Sequence, residues 1–552
     1  MRISVTSDHL KVHAVSGTYV VLLGFHLPKS HCDRLMGFSI HRADHTENEA
    51  YYLKGIKAFQ ETDPGLADGS LYSTKEHPIQ SFQWADYSAK PGHEYTYTVS
   101  ALKGTPSSLS AAATVQVRIA TEKPLSDQHN VFFNRGISAS QEYARRFGNK
   151  RPEAVPNNKA FEWLSRGAYE ALEAYVNTCD PGVHALRIAA YEFHYEPFLQ
   201  LLRSATDRGV DVQIIYDARK ESPKKKNEKA IQDAGLGDFC TPRTSGKNYI
   251  AHNKFIVKLA NGAPVSVWTG GMNFSIGGIF GHSNVAHVVN DPSVAETFLA
   301  YWNALKKDPG SRSLKPAIES FSPLPLLPLA PGTVAVFSPR KSLDALNLYA
   351  RIASSAQNGL FMTFAFGMNQ VFKEVFLNSS APLRLALLEK AVRPMKEGPA
   401  KDAELEAIQQ LRNMPQNVFA IGSIIPSNAF DGWVKETLSN LNRSVHFVHN
   451  KFMLVDPLGH NPVVVAGSAN FSNASTTDND ENMVLICGDT RVADIYLGEF
   501  MRLFSHHTFR ESLAFRKKNE PPKPLRTDHW WEPYFGNTSR SNRRKFFAQV
   551  EE

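Results

Sequence analysis

A duplicated motif constrains this chain more than any other feature. The residues HNKF occur twice, and each copy is followed by a glycine-containing Asn-Phe-Ser motif, TGGMNFS in the first and AGSANFS in the second. The same 21 positions separate His252 from Asn273 and His449 from Asn470, and the copies lie 197 residues apart. That period is far longer than the repeats of solenoid proteins. The spacing predicts a duplicated domain whose halves are related by a pseudo-two-fold axis.

Helical and strand patterns alternate around each copy of the motif. In the first half, EPFLQLLRSATDRGV has helical spacing and DVQIIYDAR has the pattern of a buried strand. In the second half, ALNLYARIASSAQNG and LFMTFAFGM repeat this order. Such a succession predicts an α/β fold, a mixed sheet flanked by helices in each half. We place the halves at 130–318 and 341–510, with a Pro-rich linker at 319–340.

The N-terminal region has a different pattern, with short β-branched and aromatic runs separated by turn residues. Residues 1–122 are therefore predicted to form an all-β sandwich. The alternation in YTYTVSA is typical of a half-buried strand. The stretch PGHEYTYTVSALKG resembles the late strands of a fibronectin type III module. Such a module implies a binding or spacing role.

The repeated residues suit phosphoryl chemistry. Alternate side chains of a strand share a face, so His449 and Lys451 point the same way. Asn470 follows the small residues Gly467 and Ser468, which permit close backbone approach. Lysine and asparagine can hold phosphoryl oxygens while an imidazole reacts. Two such sets facing each other supply one histidine to attack phosphorus and one to protonate the leaving oxygen.

Together these motifs resemble the phospholipase D superfamily, whose signature is His-x-Lys-x4-Asp followed by Gly-Gly/Ser-x-Asn. The resemblance covers about residues 130–510. It implies two α/β halves with a shared cleft, no metal or other cofactor, and a covalent phosphohistidine intermediate. The catalytic residues carried over by position are His252, Lys254, Asn273, His449, Lys451 and Asn470. The neighbouring residues assigned to substrate binding are Gly271, Ser275, Ser468 and Ser472.

The two copies differ at the last position of the first motif. The second copy retains Asp456, whereas Leu259 stands at the equivalent position of the first. In the family this aspartate is mostly a structural partner. The leucine is therefore expected to be compatible with activity.

A second difference concerns the carboxylate that orients a histidine. Glu481 matches the family's acidic residue, and we expect it to orient His449, favouring the imidazolium. In the first half Ser283 stands opposite Glu481, so His252 is expected to be less basic unless another carboxylate substitutes. The candidates for that substitution are Glu192 and Asp217. The asymmetry predicts His252 as nucleophile and His449 as general acid.

Charge and loop composition leave the substrate class open. The net charge is +7, and the C-terminal segment 511–552 combines basic and aromatic residues. That composition suits a phospholipid headgroup surface or single-stranded nucleic acid, and it equally fits a tail packed on the core by its aromatics. If the family architecture holds, Ile276, Ile279 and Phe280 of the first-half loop IGGIFGH form an apolar lip at the cleft; packing of Ile279 and Phe280 into the protein fits the sequence equally well. The lip favours a phospholipid substrate, and the charge favours a nuclease.

Three functions therefore remain: a phospholipase D-type enzyme on phospholipids, a nuclease with the same site, and a non-catalytic binding protein with an eroded first half-site. Retention of both histidines, lysines and asparagines argues against the third. The N-terminus lacks a signal-peptide pattern, and no run of 18 apolar residues occurs, so a cytoplasmic location is expected. Possible peripheral membrane contact is compatible with this. One chain carries both motifs, so a monomer is expected to suffice for catalysis.

Overall fold

The structure is a computed structural model that describes residues 1–66, 70–136, 141–246, 249–392, 395–424, 447–514 and 523–551. These residues form an antiparallel β-rich region, two seven-stranded mixed sheets flanked by helices, and a C-terminal segment. The predicted α/β fold with two similar halves is confirmed. No helix in these ranges is long and apolar enough to cross a membrane.

The N-terminal region is a sandwich of two sheets. Its strands are β1 (Arg2–Ser7), β2 (Leu10–Ser16), β3 (Val21–His26), β4 (Leu35–Asp44), β5 (Glu49–Tyr52), β6 (Lys54–Gly55), β7 (Tyr72–Ser73), β8 (Gln83–Asp86), β9 (Glu94–Thr105) and β10 (Ser108–Ala120). The four-stranded sheets have the orders β1-β2-β3-β8 and β10-β9-β4-β5 and share one apolar core. Along β9, buried residues alternate with half-buried ones, as the sequence pattern predicts. The fibronectin type III resemblance stays a prediction.

The first α/β half follows the sandwich. Its elements are β11 (His129–Phe133), α1 (Gln141–Phe147), α2 (Lys159–Ser165), α3 (Ala168–Asn177), β12 (His184–Ala190), α4 (Glu196–Asp207), β13 (Asp211–Asp217), α5 (Glu221–Asp233), β14 (Cys240–Arg243), β15 (Lys254–Ala260), β16 (Ala263–Gly270), β17 (Val285–Val289), α6 (Pro292–Lys306) and α7 (Ser311–Phe321). The strand order is β11-β17-β16-β15-β12-β13-β14, with β12, β13 and β14 parallel. Helix α6 begins where Asp291 accepts hydrogen bonds from the amides of Ser293 and Val294.

The second half repeats this topology. Its elements are β18 (Gly332–Ser338), α8 (Asp344–Ser354), β19 (Gly359–Phe364), α9 (Gln370–Asn378), β20 (Leu383–Leu388), α10 (Pro399–Arg412), β21 (Asn417–Ile421), β22 (Phe452–Val455), β23 (Val463–Gly467), α11 (Asn473–Thr477), β24 (Glu481–Cys487) and α12 (Thr490–Ala514). The order β18-β24-β23-β22-β19-β20-β21 matches the first sheet strand for strand. The duplication inferred from the motifs therefore extends over whole domains.

The predicted linker at 319–340 is wrong over much of its length. Helix α7 extends into the predicted linker. The last third of the linker forms β18, which pairs antiparallel with β24. Prolines on both sides concealed the strand pattern of GTVAVFS, whose residues 335–338 are buried. Only the stretch between α7 and β18 connects the halves.

The C-terminal segment packs between the sandwich and the second half. Trp530 and Trp531 lie in the sandwich core, and the Trp530 indole N–H donates to the Leu35 carbonyl at 2.6 Å. Helix α13 (Ser539–Ala548) lies against β3, where a Cβ on Gly24 would come within 2.1 Å of the Phe547 carbonyl oxygen. The aromatic residues therefore serve packing, which was one of the two interpretations left open by composition.

Trp530→Ala should destabilise the protein. The substitution empties an aromatic position among Phe38 and Phe82 and leaves the Leu35 carbonyl without its donor. We expect a loss of about 3–5 kcal/mol in the denaturant transition that reports the sandwich. The matched control is Arg526→Ala in the same segment, which removes only an exposed pair with Asp528 and should leave that transition in place. Equal effects of both substitutions would show that Trp530 does not anchor the tail.

Candidate active site

Both histidine motifs enter their sheets where the two halves contact each other. Lys254 begins β15, and Lys451 directly precedes β22. Just before each histidine, the chain forms a bridge to the opposite half, from Ala251 to Asp480 and from Val448 to Ser283. These reciprocal bridges follow the pseudo-two-fold relation. Each histidine therefore lies beside the last strand of the other half.

Glu481 contacts His252, so the prediction that it orients His449 is wrong. The His252 Nδ1 lies 2.9 Å from Glu481 Oε2, and the carboxylate is fully buried. Ser475 Oγ donates to the other carboxylate oxygen at 3.0 Å. The cause lies at the contact between the halves, where Asp480, just before β24, pairs with Ala251, just before the first motif. The carboxylate holds the proton on Nδ1 and leaves Nε2 of His252 available for chemistry.

His449 has a neutral partner, Asn284. The His449 Nδ1 lies 3.0 Å from Asn284 Oδ1, while Asn284 Nδ2 donates to the Gly278 carbonyl at 2.8 Å. That second bond sets the orientation of the amide, so the His449 Nδ1 carries the proton. Ser283 is therefore not the counterpart of Glu481. It pairs with Val448 as Asp480 pairs with Ala251, and the counterpart is the next residue, Asn284.

The two lysines are buried beside the histidines. Lys451 Nζ donates to the His449 carbonyl at 2.6 Å, and Lys254 Nζ donates to that of His252. Burial lowers the pKa of Lys254 to about 7. Burial also holds the pKa of Lys451 well below its usual range, and the charge of Lys254 adds to this. Two desolvated ammonium groups near each other favour binding of an anion, which would restore their protonation.

Asn273 is held by a carboxylate. Its Nδ2 donates to Glu192 Oε2 at 3.0 Å, and Ser275 Oγ donates to the same oxygen at 2.7 Å. Glu192 was a candidate to orient His252, and the structure uses it here instead. Burial alone would raise the pKa of the Glu192 carboxyl, but the Ser275 hydrogen bond and nearby histidines lower it. The other candidate, Asp217, accepts from the backbone amide of Ala251 at 2.8 Å.

The remaining small residues of the motifs build the framework. A Cβ on Gly271 would lie 3.0 Å from Asn284 Oδ1, so glycine gives Asn284 the space to reach His449. Ser468 Oγ accepts from the Asn482 amide at 3.0 Å, and Ser472 Oγ accepts from the Ser475 amide at 3.2 Å at the start of α11. The substrate-binding role assigned to Gly271, Ser275, Ser468 and Ser472 stays a prediction. Asn470 donates its backbone amide to Ser475 Oγ at 3.2 Å.

Asp456 lies at the end of β22, away from the histidines. Its carboxylate accepts from the backbone amides of residues 357, 358 and 359, the closest at 2.7 Å. It therefore ties the turn after α8 to the second motif. At the equivalent position Leu259 is buried in the main apolar core. The first half thus lacks the carboxylate that binds this turn. The substitution removes no reacting group.

A family model described as "Cardiolipin synthase, PLD-like domain" matches residues 179–306 and 350–504, together half of the chain. The chain belongs to the phospholipase D-like family. The two matched segments contain both histidine motifs of the site just described. Among curated proteins, none matches this chain.

The chain is distantly similar to several solved structures. Phosphatidylserine synthase from Haemophilus influenzae is 11% identical, with 62% of this chain and 85% of that chain covered and a TM-score of 0.44. Polyphosphate kinase from Porphyromonas gingivalis is 10% identical with a TM-score of 0.40, covering 66% of this chain and 52% of its own. The phospholipase D family member Nuc from Salmonella typhimurium is 29% identical over 26% of this chain and 88% of its own, with a TM-score of 0.22.

Of the two alternatives for the loop after the first motif of this phospholipase D-like site, the structure shows packing of Ile279 and Phe280 into the protein rather than an apolar lip. Ile279 and Phe280 are buried in a π-helical turn over Gly277–Gly281, and the Phe280 ring lies 4.8 Å from that of Phe161 on α2. Ile276 packs partly against the same cluster. The apolar residues of this loop face helices of their own half. Ile279 and Phe280 therefore offer no apolar surface to a lipid.

The pKa values of both histidines are lowered. Burial lowers that of His252, and the Glu481 carboxylate opposes the effect. Burial holds the pKa of His449 well below its usual range, and the charges of Lys451 and His282 contribute. The His282 ring centroid lies 4.2 Å from that of His449. The lowered pKa favours the neutral imidazole of His252, the form a nucleophile requires, and a protonated His449 gives up its proton readily.

Sequence reasoning missed two site residues. Asn284 was passed over for its neighbour Ser283. Tyr191 was not considered, although its ring lies 4.9 Å from that of His252 and 5.1 Å from Lys254 Nζ. One available signal was position, because Tyr191 directly follows β12, at the carboxyl end of a parallel strand, where α/β sheets bind ligands.

Proposed function

We propose that this protein is a phosphodiesterase that cleaves its substrate in two steps through a phosphohistidine. The observation that carries the proposal is the pairing of two histidines with different partners, Glu481 for His252 and Asn284 for His449. Lys254 and Lys451 are buried beside them and supply positive charge to a phosphodiester. All six groups belong to one chain, so one chain is expected to form a complete site.

In the first step, Nε2 of His252 attacks phosphorus while the bond from phosphorus to the leaving oxygen breaks. His449 donates the proton that this oxygen takes up. In the second step, water loses a proton to His449, its oxygen bonds to phosphorus, and the phosphorus–nitrogen bond breaks. His252 is then neutral again, and His449 is reprotonated. The lysines stabilise the negative charge that develops on the phosphoryl oxygens.

A phospholipid is the proposed substrate, supported by the description of the matching family model. The buried Ile279 and Phe280 no longer contribute to this choice. A nucleic acid carries the same phosphodiester, and the net charge of +7 suits it equally well. The test must therefore include both substrate classes.

Purified protein should hydrolyse phospholipid in vesicles with EDTA present, because the lysines take the role of a metal cation. Single- and double-stranded DNA and RNA are assayed side by side, and a Lys451→Ala chain serves as the inactive control. Cleavage of nucleic acid alone would reassign the protein as a nuclease. Activity that disappears in EDTA and returns with magnesium would contradict the mechanism.

The pH dependence should report His449. A general acid must be protonated, so kcat/KM should fall as pH rises through the lowered pKa of His449. Asn284→Asp places a carboxylate on Nδ1 and raises that pKa. We expect the descending limb of the kcat/KM profile to move upward by about one pH unit or more. An unmoved limb in an active Asn284→Asp enzyme would show that His449 is not the acid.

A further inference from the structure

A second cleft lies where the sandwich, α12 and the C-terminal segment meet, and it shares no residue with the phospholipase D-like site. It has a volume of about 290 Å³. One wall is the β8 region with Trp84 and Tyr87, and the opposite wall carries Tyr534 and α13. Tyr87 joins this wall to α12, because its hydroxyl donates to the Met501 carbonyl at 3.0 Å.

Arginines provide all the charge of this cleft. Arg540, Arg543 and Arg544 line it, and its other lining residues are neutral. Arg543 Nη2 donates to the neutral Gln83 amide oxygen at 2.8 Å, and the Arg540 guanidinium lies 5.6 Å from the Tyr534 ring centroid. Within the part of the chain that the structure describes, no carboxylate forms an ion pair with Arg540 or Arg543.

Arg543 is half-buried, and a guanidinium that loses water without gaining an anionic partner costs free energy. Burial lowers the pKa of the Arg543 guanidinium, and the neighbouring charge of Arg540 contributes in the same direction. A bound anion would remove this penalty. Among the described residues, no carboxylate therefore compensates the charges of Arg540 and Arg543.

Helix α13 adds a second contribution of the same sign. Thr538 caps its N-terminus, where Thr538 Oγ1 accepts from the Ser541 amide at 3.0 Å, and no acidic residue lies in the first turn. The N-terminal turn of a helix favours anions, and Arg540 is placed there against the helix dipole. This placement is unfavourable for an isolated helix and favourable once an anion is bound.

We propose that this cleft is a binding site for a phosphate monoester, held by Arg540 and Arg543 at the start of α13. Two guanidinium groups match the oxygens of a phosphate, because each offers a planar fork of donors. The aromatic walls accept the less polar remainder of the molecule. The same phosphate chemistry is offered by a soluble phosphate and by the headgroup of phosphatidic acid in a membrane.

Hydrogen exchange of the full chain tests the site locally. We expect inorganic phosphate, or vesicles of phosphatidylcholine containing phosphatidic acid, to protect peptides covering 81–87 and 534–545. Protection by phosphate alone identifies a soluble ligand, and protection by the vesicles alone identifies a headgroup. Vesicles of phosphatidylcholine alone should protect neither peptide. Absence of protection with both phosphate sources would overturn the proposal.

Variants separate this cleft from the catalytic site. Arg543→Gln should raise the apparent Kd of the ligand that protects these peptides by at least about tenfold. Arg540→Gln should also weaken it, and Arg540 is exposed, so this second variant does not depend on a buried contact. Arg526→Gln, a matched change in the same segment outside the cleft, and Lys451→Ala in the catalytic site should keep the protection. Protection that survives both cleft substitutions, or is lost in Lys451→Ala, would contradict the proposal.

Discussion

Substitution of His252 by alanine should abolish turnover. His252 is the proposed nucleophile, and water attacking phosphorus directly lacks both its proximity and its covalent intermediate. We expect kcat to fall by on the order of 10⁴–10⁶-fold, the range seen when a nucleophile is removed from a preorganised site. The measurement is steady-state hydrolysis of the phosphodiester substrate identified by the parallel assay.

The control for this substitution is His460→Ala, an exposed histidine of the second half that follows the Asp456 turn. It should retain full activity. The folding of His252→Ala is checked by its thermal transition, because loss of the imidazole also leaves Glu481 buried with one fewer partner. A folded His252→Ala chain with more than a small fraction of the activity would show that the nucleophile lies elsewhere.

Substitution of His449 by alanine should have a different signature. A lost general acid costs on the order of 10²–10⁴-fold in rate, and the cost shrinks when the leaving group needs no proton. We therefore expect a large loss with an alkyl phosphodiester and a much smaller loss in the first step with a nitrophenyl ester. Pre-steady-state release of nitrophenol separates that step from hydrolysis of the intermediate.

His449 also serves the second step as the base that takes a proton from water. In His449→Ala, the intermediate formed from the nitrophenyl ester should therefore persist and appear as a burst of product. Equal losses of first-step rate with both leaving groups would contradict the assignment of His449 as the acid. The partner of His449 is the neutral amide of Asn284, which cannot take over the proton transfers that His449 performs.

The repeat, together with the alternation of helix and strand patterns around it, was sufficient to predict the two α/β halves and the histidine–lysine pairs. The equal spacing of the motifs indicates that the two halves share the same local structure. The identical strand orders of the two sheets agree with this. The partner of each histidine could not be obtained in this way. Glu481 lies in the same half as His449 along the sequence. Only the contact between the two halves brings it to His252.

The choice of Ser283 over Asn284 illustrates how sensitive a strand register is. A shift of one residue moves a side chain to the opposite face, so one position decides between a residue that meets His449 and one that does not. Ser283 instead donates its hydroxyl to the Phe447 carbonyl at 2.9 Å. No local pattern in FGHSNVAHVV distinguishes the two alternatives.

Burial was the other quantity that composition could not supply. Ile279 and Phe280 were compatible with an exposed lip at the cleft, yet both are buried, and Phe280 packs against α2 and α3 of the same half. Trp530 and Trp531 were compatible with a membrane or nucleic-acid surface, yet they complete the core of the sandwich. In both cases an apolar run meets a partner far away in sequence.

The most direct test of the central claim is to trap the intermediate. Labelled substrate is mixed with the wild-type chain and with His449→Ala, the reaction is quenched under conditions that preserve a phosphohistidine, and the labelled peptide is mapped. The proposed mechanism predicts label on His252 in both proteins, with a larger trapped fraction in His449→Ala when the nitrophenyl ester is used. Label on His449 in the wild-type chain, with His252 unmodified, would contradict the mechanism.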